Sequence, residues 1–331
     1  MPADPPAADR GPAPLRLLTP DDIPAVVALI NAGDAVDEAD EATSATEFRL
    51  WVGEHLAAGT HAVAVSPAGA IVGYGDVHHP AGDDGARGWV VVDPAWRGRG
   101  IGTALVAWVR GRARRMGVRW IDFAIDVRLT QANTWIAHLG YEPVRTYTRL
   151  RLASDATPAA GPLPPGLRLR TFQPAQDEAA VHGILNASFA DHRNANVVTN
   201  AQMADNLRRP GFDPGGLLLA EATAGEVAGE IVGLCWCYIN PAEQRRRCEQ
   251  TGWINDLGVD PAYRRNGLGR ALLAHGITWL RDQGVDCIEL WVDSGNRAAV
   301  ALYTGTGFRV NKTVVDYRHF LYAPRPAGQE G

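Results

Sequence analysis

Alternation of apolar with polar or small residues marks 61–65 and 70–78 as two strands, joined through the turn residues Pro67, Ala68 and Gly69. Upstream, Leu15-Arg16-Leu17 opens another strand. Asp21-Asp22-Ile23-Pro24 then has the composition of a helix start, followed by apolar positions at Val26, Val27, Leu29 and Ile30. The helical period returns at 45–57, 101–116 and 131–139, and short apolar runs predict strands at 88–92, 120–125 and 147–152. Residues 153–166 carry prolines at 158, 162, 164 and 165 without apolar period, which predicts a linker.

Beyond the linker the pattern restarts. Leu167-Arg168-Leu169-Arg170 echoes the opening strand, and 180–187 echoes the helix at 25–32. Strands are expected at 217–222, 231–239, 253–259 and 287–292, with final strands around 308–321; helices are expected from Arg270 onward and at 298–304. This order implies an α/β fold with a mixed α+β sheet, built twice, with domains at 15–152 and 167–323. Residues 1–14, rich in proline and alanine, are expected to be a disordered tail. The segment 244–250, with Arg245, Arg246 and Arg247, is either a solvated loop or the rim of a substrate mouth.

Each half contains one basic glycine turn between a strand and a helix. The second reads Leu257-Gly258-Val259-Asp260-Pro261-Ala262-Tyr263-Arg264-Arg265-Asn266-Gly267-Leu268-Gly269-Arg270; the first runs from Val90, Val91 and Val92 through Asp93-Pro94 to Arg97, Gly98, Arg99, Gly100, Gly102 and Thr103. Arg97 precedes Arg264 by 167 residues, and Tyr141 precedes Phe308 by the same 167, so the chain is an internal duplication. A strand feeding a helix through such a turn aims unpaired amides and the positive end of a helix dipole at one spot, which favours phosphate. The arginines add charge and planar donors, and the glycines allow close backbone approach.

With 331 residues, 46% hydrophobic and 21% charged, the chain has the length and composition of two globular domains. A net charge of −5 argues against a nucleic-acid binder, whose affinity comes largely from neutralising phosphates. No apolar run suits a membrane span and no secretory signal is visible, so a cytoplasmic location is expected. Cys235 and Cys237 point to one face of a strand and are expected to be small buried hydrophobes; with no histidine or further cysteine at ligand spacing, no metal is expected.

Arg-x-x-Gly-x-Gly between strand and helix, present twice, resembles the acetyl-CoA signature of the GNAT acetyltransferase superfamily. The resemblance implies acetyl transfer from acetyl-CoA to a small-molecule primary amine, by a monomer or homodimer. It assigns Leu257, Gly258 and Val259, and Val90, Val91 and Val92, to the pantetheine arm. The pyrophosphate would meet Arg264, Arg265, Asn266, Gly267, Gly269 and Arg270, matched by Arg97, Gly98, Arg99, Gly100, Gly102 and Thr103. Asn296-Arg297-Ala298-Ala299-Val300-Ala301-Leu302-Tyr303 resembles the family's later motif, in which the asparagine contacts cofactor and the tyrosine protonates the departing thiolate. The 167-residue offset places Ile136 opposite Tyr303 and Leu129 opposite Asn296, which assigns chemistry to the second half and leaves the first as a cofactor binder or a scaffold.

For the general base the sequence offers more than one candidate. The family often has a glutamate where this chain has Trp253, and Ala86 in the first half. Asp256 and Glu249 are the candidates, with Asp191-His192 in the region that usually forms the acceptor wall; by strict alternation Asp256 faces away from Trp253. Among two-copy members the chain is similar to the mycothiol synthases, which acetylate the cysteinyl amine of a thiol-sugar precursor. The tryptophan instead suits a flatter or more apolar acceptor. A third reading is a non-catalytic acyl-CoA sensor.

Overall fold

The computed structural model describes residues 13–322, apart from 38–42, 54, 55, 57, 81, 82, 155, 157, 159, 160, 190–197, 210, 226, 241–243 and 245–249. Residues 1–12 of the expected tail at 1–14, Asp191, His192, Cys248, Glu249 and the arginines at 245–247 lie outside the described residues, while the Pro14 carbonyl accepts from the Val65 amide at 3.0 Å. The chain forms two compact units, one combining everything up to Arg145 with the segment from Val314, the other comprising Thr146–Thr313.

In the first unit the elements are β1 (Leu15–Leu17), α1 (Ile23–Val36), α2 (Ala45–Gly53), β2 (His61–Val65), β3 (Ile71–His78), β4 (Gly85–Val92), α3 (Ile101–Arg115), β5 (Trp120–Asp126) and α4 (Thr130–His138). The second unit contains most of β6 (Glu142–Leu152), then β7 (Leu167–Thr171), α5 (Glu178–Phe189), α6 (Asn200–Arg208), β8 (Leu217–Ala222), β9 (Ile231–Tyr238) and β10 (Thr251–Val259). It continues with α7 (Leu268–Asp282), β11 (Cys287–Asp293) and α8 (Arg297–Gly305), and β12 (Arg309–Phe320) is the last element described. The helix expected over 45–57 is described over Ala45–Gly53, with 54, 55 and 57 outside the described residues, and the strands expected around 308–321 are one strand.

Strand order is β1-β2-β3-β4-β5-β12 in the first unit and β6-β11-β10-β9-β8-β7 in the second. Each repeat therefore lends its last strand to the other. β12 pairs antiparallel with β5, setting Arg318 opposite Asp122, and β6 pairs antiparallel with β11, setting Arg151 opposite Glu289. Arg318 donates to both oxygens of Asp122 at 2.8 and 2.7 Å. In the second unit Glu289 is fully buried between Arg149 and Arg151, each 3.8 Å away, and accepts from Asn311 Nδ2 at 3.1 Å.

Helix–sheet packing follows the apolar stripes. In α7, Leu268, Leu272, Leu273, Ile277 and Leu280 pack on Val232, Ile254, Ile288 and Leu290, with Cys235 and Cys237 in the same core. A Cβ on Gly276 would lie 2.5 Å from Cys235 Sγ, so these thiols fill the space under the helix as small hydrophobes. On the opposite face, α5 sets Val181, Ile184 and Leu185 against Leu217, Leu219, Leu234 and Trp236.

Candidate active site

In each unit two parallel strands begin paired and then part. β4 registers with β5 only from Gly85 to Arg87, and β10 with β11 only from Thr251 to Trp253. β10 nevertheless stays registered on its other edge with β9 as far as Val259. The edge of β10 beyond Trp253, which includes Leu257, Gly258 and Val259, thus opens onto a gap, as does the edge of β4 that includes Val90, Val91 and Val92. Leu257 and Val259 face the α7 core, while a Cβ on Gly258 would meet Ser188 of α5 at 2.8 Å.

At the end of each strand the chain makes the same turn. Asp260 Oδ1 accepts from the amide of Ala262 at 2.8 Å, and Asp93 Oδ1 from that of Ala95 at 2.8 Å. Arg264 folds back onto the strand, donating through Nε to the Val259 carbonyl at 3.3 Å and through Nη2 to that of Ser188 at 3.1 Å. Arg97 makes the equivalent 3.3 Å bond to Val92, but its guanidinium also grips Asp37 at 2.8 and 2.9 Å. Both first arginines therefore brace the strand end, and the turn's amides are left to face an anion. Left-handed residues alternate through each turn: Arg265 (φ 65°) and Gly267 (φ 93°), matched by Gly98 (φ 76°) and Gly100 (φ 78°). This alternation curls successive N–H groups around one concavity. The amides of Gly269 and Arg270 lie in the first turn of α7, where no intrahelical acceptor exists. Leu268 N is held by Asn266 Oδ1 at 3.0 Å, and the side chains of Arg265 and Arg270 are exposed around the turn.

The two concavities differ in what lies beside them. Trp135 of α4 donates to Thr103 Oγ1 at 3.2 Å, and a Cβ on Gly102 would sit 3.3 Å from its ring. The corresponding neighbour of Gly269 is Leu302, at 3.7 Å.

Tyr303 is 8% exposed in the α7 core, its ring edge-on to Phe308 at 6.0 Å. Burial, then Cys235 and Asp256, raise its phenol above the ordinary tyrosine range, so it stays a proton donor. Asn296 caps α8, its Oδ1 accepting from the Ala299 amide at 3.1 Å. At the matching place in the first unit, Ile136 is fully buried and offers no proton.

β10 corrects the alternation argument for Asp256. Its register to β9 slips between Ile254 and Asp256, so that Trp253 stands opposite Tyr238 and Asp256 opposite Trp236, with Asn255 bulged out. The inserted residue resets the alternation: Trp253 and Asp256 share the α5 face, while Ile254 and Leu257 share the other. Asp256 accepts from Asn255 Nδ2 at 2.6 Å, and burial holds its carboxyl above the usual carboxylate range, with Asn255 and Arg209 opposing. Period-two reasoning could not find this, since nothing local in Trp-Ile-Asn-Asp-Leu announces a bulge.

Other residues on the same face carry no motif. Glu289 registers with Trp253 across the parallel pair, Trp291 lies two residues further along β11 with 41% of its surface exposed, and Arg209 is stacked 5.2 Å over the Tyr238 ring. The first unit holds the mirror of the Trp236–Asp256 pair, with Asp76 on β3 opposite Trp89 on β4. Asp76 is 2% exposed, its Oδ2 has no hydrogen-bond partner, and burial pushes its carboxyl up to about 8, against the opposing bond from Tyr74. Among the described residues no cluster of three His, Cys, Asp or Glu could hold a metal ion, and no helix is long and apolar enough to cross a membrane.

Two domains with parted parallel strands over an amide-lined turn define a tandem acetyltransferase architecture, and comparison with known proteins agrees. The acetyltransferase (GNAT) family matches residues 183–308 and an acetyltransferase (GNAT) domain matches 49–143. The chain belongs to the GNAT family and is an N-acetyltransferase with the domain present twice. It is similar to the mycothiol acetyltransferase of Sanguibacter keddieii, 34% identical over 88% of this chain and 91% of that protein. Among solved structures it is similar to a GCN5-related N-acetyltransferase from Sphaerobacter thermophilus, 30% identical with a TM-score of 0.76 over 93% of this chain and 95% of that one. A tandem GNAT protein from the clavulanic acid biosynthesis pathway shares the fold, at 18% identity and a TM-score of 0.68, over 94% of this chain and 99% of that one.

Proposed function

We propose that the second unit transfers the acetyl group of acetyl-CoA to a primary amine, with Asp256 as the base and Tyr303 as the acid. The observation that carries this reading is their placement on opposite faces of the β10–β11 gap, the carboxylate on the α5 face and the phenol in the α7 core. The diphosphate would lie against the amides of the 265–270 turn, within reach of Arg265 and Arg270, and the pantetheine arm along Leu257–Val259. The amine nitrogen bonds to the thioester carbonyl carbon as the C–S bond breaks. The ammonium gives one proton to solvent to become the attacking amine, Asp256 takes the second N–H proton as the amide forms, and Tyr303 gives one to the departing thiolate, whose basicity lies well above a carboxylate's. Solvent returns both residues to their starting states.

The first unit serves as a scaffold on this reading. Ile136 cannot act as the acid, Arg97 is neutralised by Asp37, and Trp135 lies over the start of α3. A second reading, a mycothiol-precursor amine as acceptor, rests on the 34% identity to the mycothiol acetyltransferases. Thiol release from acetyl-CoA, followed against a panel of primary amines with the wild type, Asp256→Asn and Tyr303→Phe, tests the chemistry. Near-normal turnover by either variant removes that residue from its role.

A further inference from the structure

We infer that the acceptor is an arylalkylamine: a primary amine carried on a flat aromatic body that lies against Trp253. The inference rests on the reading of Asp256 as the base and names the class of amine that site takes.

Trp253 occupies the crotch of the parted strands, the last residue of β10 registered with β11. Because of the bulge its indole shares a face with Asp256, so the floor beneath an incoming amine is an aromatic ring rather than a carboxylate. The neighbours extend that surface. Tyr238 stands directly opposite Trp253 on β9, and the partly exposed Trp291 follows Glu289 on β11. Both rings carry a guanidinium, Arg209 at 5.2 Å from Tyr238 and Arg149 at 5.8 Å from Trp291.

Two carboxylates lie on this face, and they differ in their partners. Glu289 is engaged by Arg149, Arg151 and Asn311, so it is committed to the sheet. Asp256 is bonded by the neutral Asn255 and lies within the field of Arg209, without a direct ion pair among the described residues, so it is the carboxylate on this face that can meet an ammonium group. Three aromatic side chains on the same sheet face as one carboxylate suit a short cationic arm on a flat ring: the ring gains stacking and dispersion, and the ammonium meets the anion. A hydroxyl-rich sugar amine would instead have its hydroxyls desolvated against rings that return few hydrogen bonds.

The test uses the full-length protein with acetyl-CoA and compares tryptamine, phenethylamine, glucosamine and putrescine in wild type, Trp253→Ala and Trp253→Glu. The arylalkylamines should exceed the other two by at least about 10-fold in kcat/KM. Trp253→Ala should raise KM for them roughly 10-fold, with kcat within about 3-fold, as expected for loss of one stacking contact. Calorimetric binding of phenethylamine to the CoA-loaded protein should weaken by the same factor. A preference for glucosamine or putrescine, or an unchanged KM and Kd in Trp253→Ala, overturns the inference while leaving the roles of Asp256 and Tyr303 intact. If no amine is acetylated at all, the proposed chemistry fails, and the calorimetric comparison of phenethylamine with glucosamine decides the acceptor class by itself.

Discussion

Trp253 and Asp256 share one face of β10 because Asn255 bulges between them, so the aromatic residue at the strand crotch and the carboxylate beyond it address the same space. On a regular strand, residues three apart point in opposite directions. The single inserted position changes which side chains an acceptor amine would meet at the proposed site, and the expected consequences are specific.

Tyr303→Phe removes the proposed proton donor and keeps the ring that packs edge-on to Phe308. The turnover number should fall by roughly 10²- to 10⁴-fold with the fold and acetyl-CoA affinity retained. Steady-state thiol release together with calorimetry of acetyl-CoA checks both halves of this statement.

Asp256 has a raised carboxyl pKa, so it loses its ability to accept a proton as pH falls through a value above the ordinary carboxylate range. The pH profile of kcat/KM should therefore show an acid limb displaced upward from that range. Asp256→Asn should lower kcat by about 10²-fold or more and remove the limb. An identical limb in the variant would assign it to the amine.

Asp76 gives the opposite kind of result, in stability. Its folded-state carboxyl, near 8, lies above its unfolded value, so the folded protein binds this proton more tightly and stability falls as pH rises from about 4 through 8. Asp76→Asn should raise Tm at pH 8 by roughly 2–8 °C and have little effect at pH 4. Thermal melts across this range decide it; a variant whose advantage does not grow with pH would exclude a buried, protonated Asp76.

Arg318 belongs in sequence to the second repeat and in space to the first unit. Its bidentate bond to Asp122 is largely buried, with 14% and 7% side-chain exposure. Arg318→Ala leaves Asp122 without this partner and should cost the first unit about 3–5 kcal/mol. Hydrogen exchange should report faster exchange in β5 while α7 keeps its protection. Loosening of α7 rather than β5 would contradict the strand exchange.

Gly267 adopts φ 93°, with open space where a Cβ would go, so backbone conformation alone requires glycine there. Gly267→Ala should cost roughly 1–2 kcal/mol and weaken acetyl-CoA binding by about 10-fold through distortion of the amide-lined turn. Titration with acetyl-CoA measures the loss. Arg265, left-handed at φ 65° without being glycine, accepts similar strain while keeping a guanidinium at the turn, and Arg265→Gly should relieve the strain while weakening acetyl-CoA binding.

What the amino-acid order determined is whatever depends on short-range pattern. The 167-residue offset, the two strand–turn–helix passages and the contrast of Tyr303 with Ile136 all follow from residue type and spacing. The two thiols on one face of β9 follow from period two. What only the tertiary structure decided depends on partners far apart in the chain. β6 and β12 have the same pattern, and which repeat's sheet each completes is set by pairing across more than a hundred residues. The bulge at Asn255 is likewise visible only against β9, because a strand carries no record of its own register. The face shared by Asp256 and Trp253, and with it the proposed acceptor, comes from that pairing.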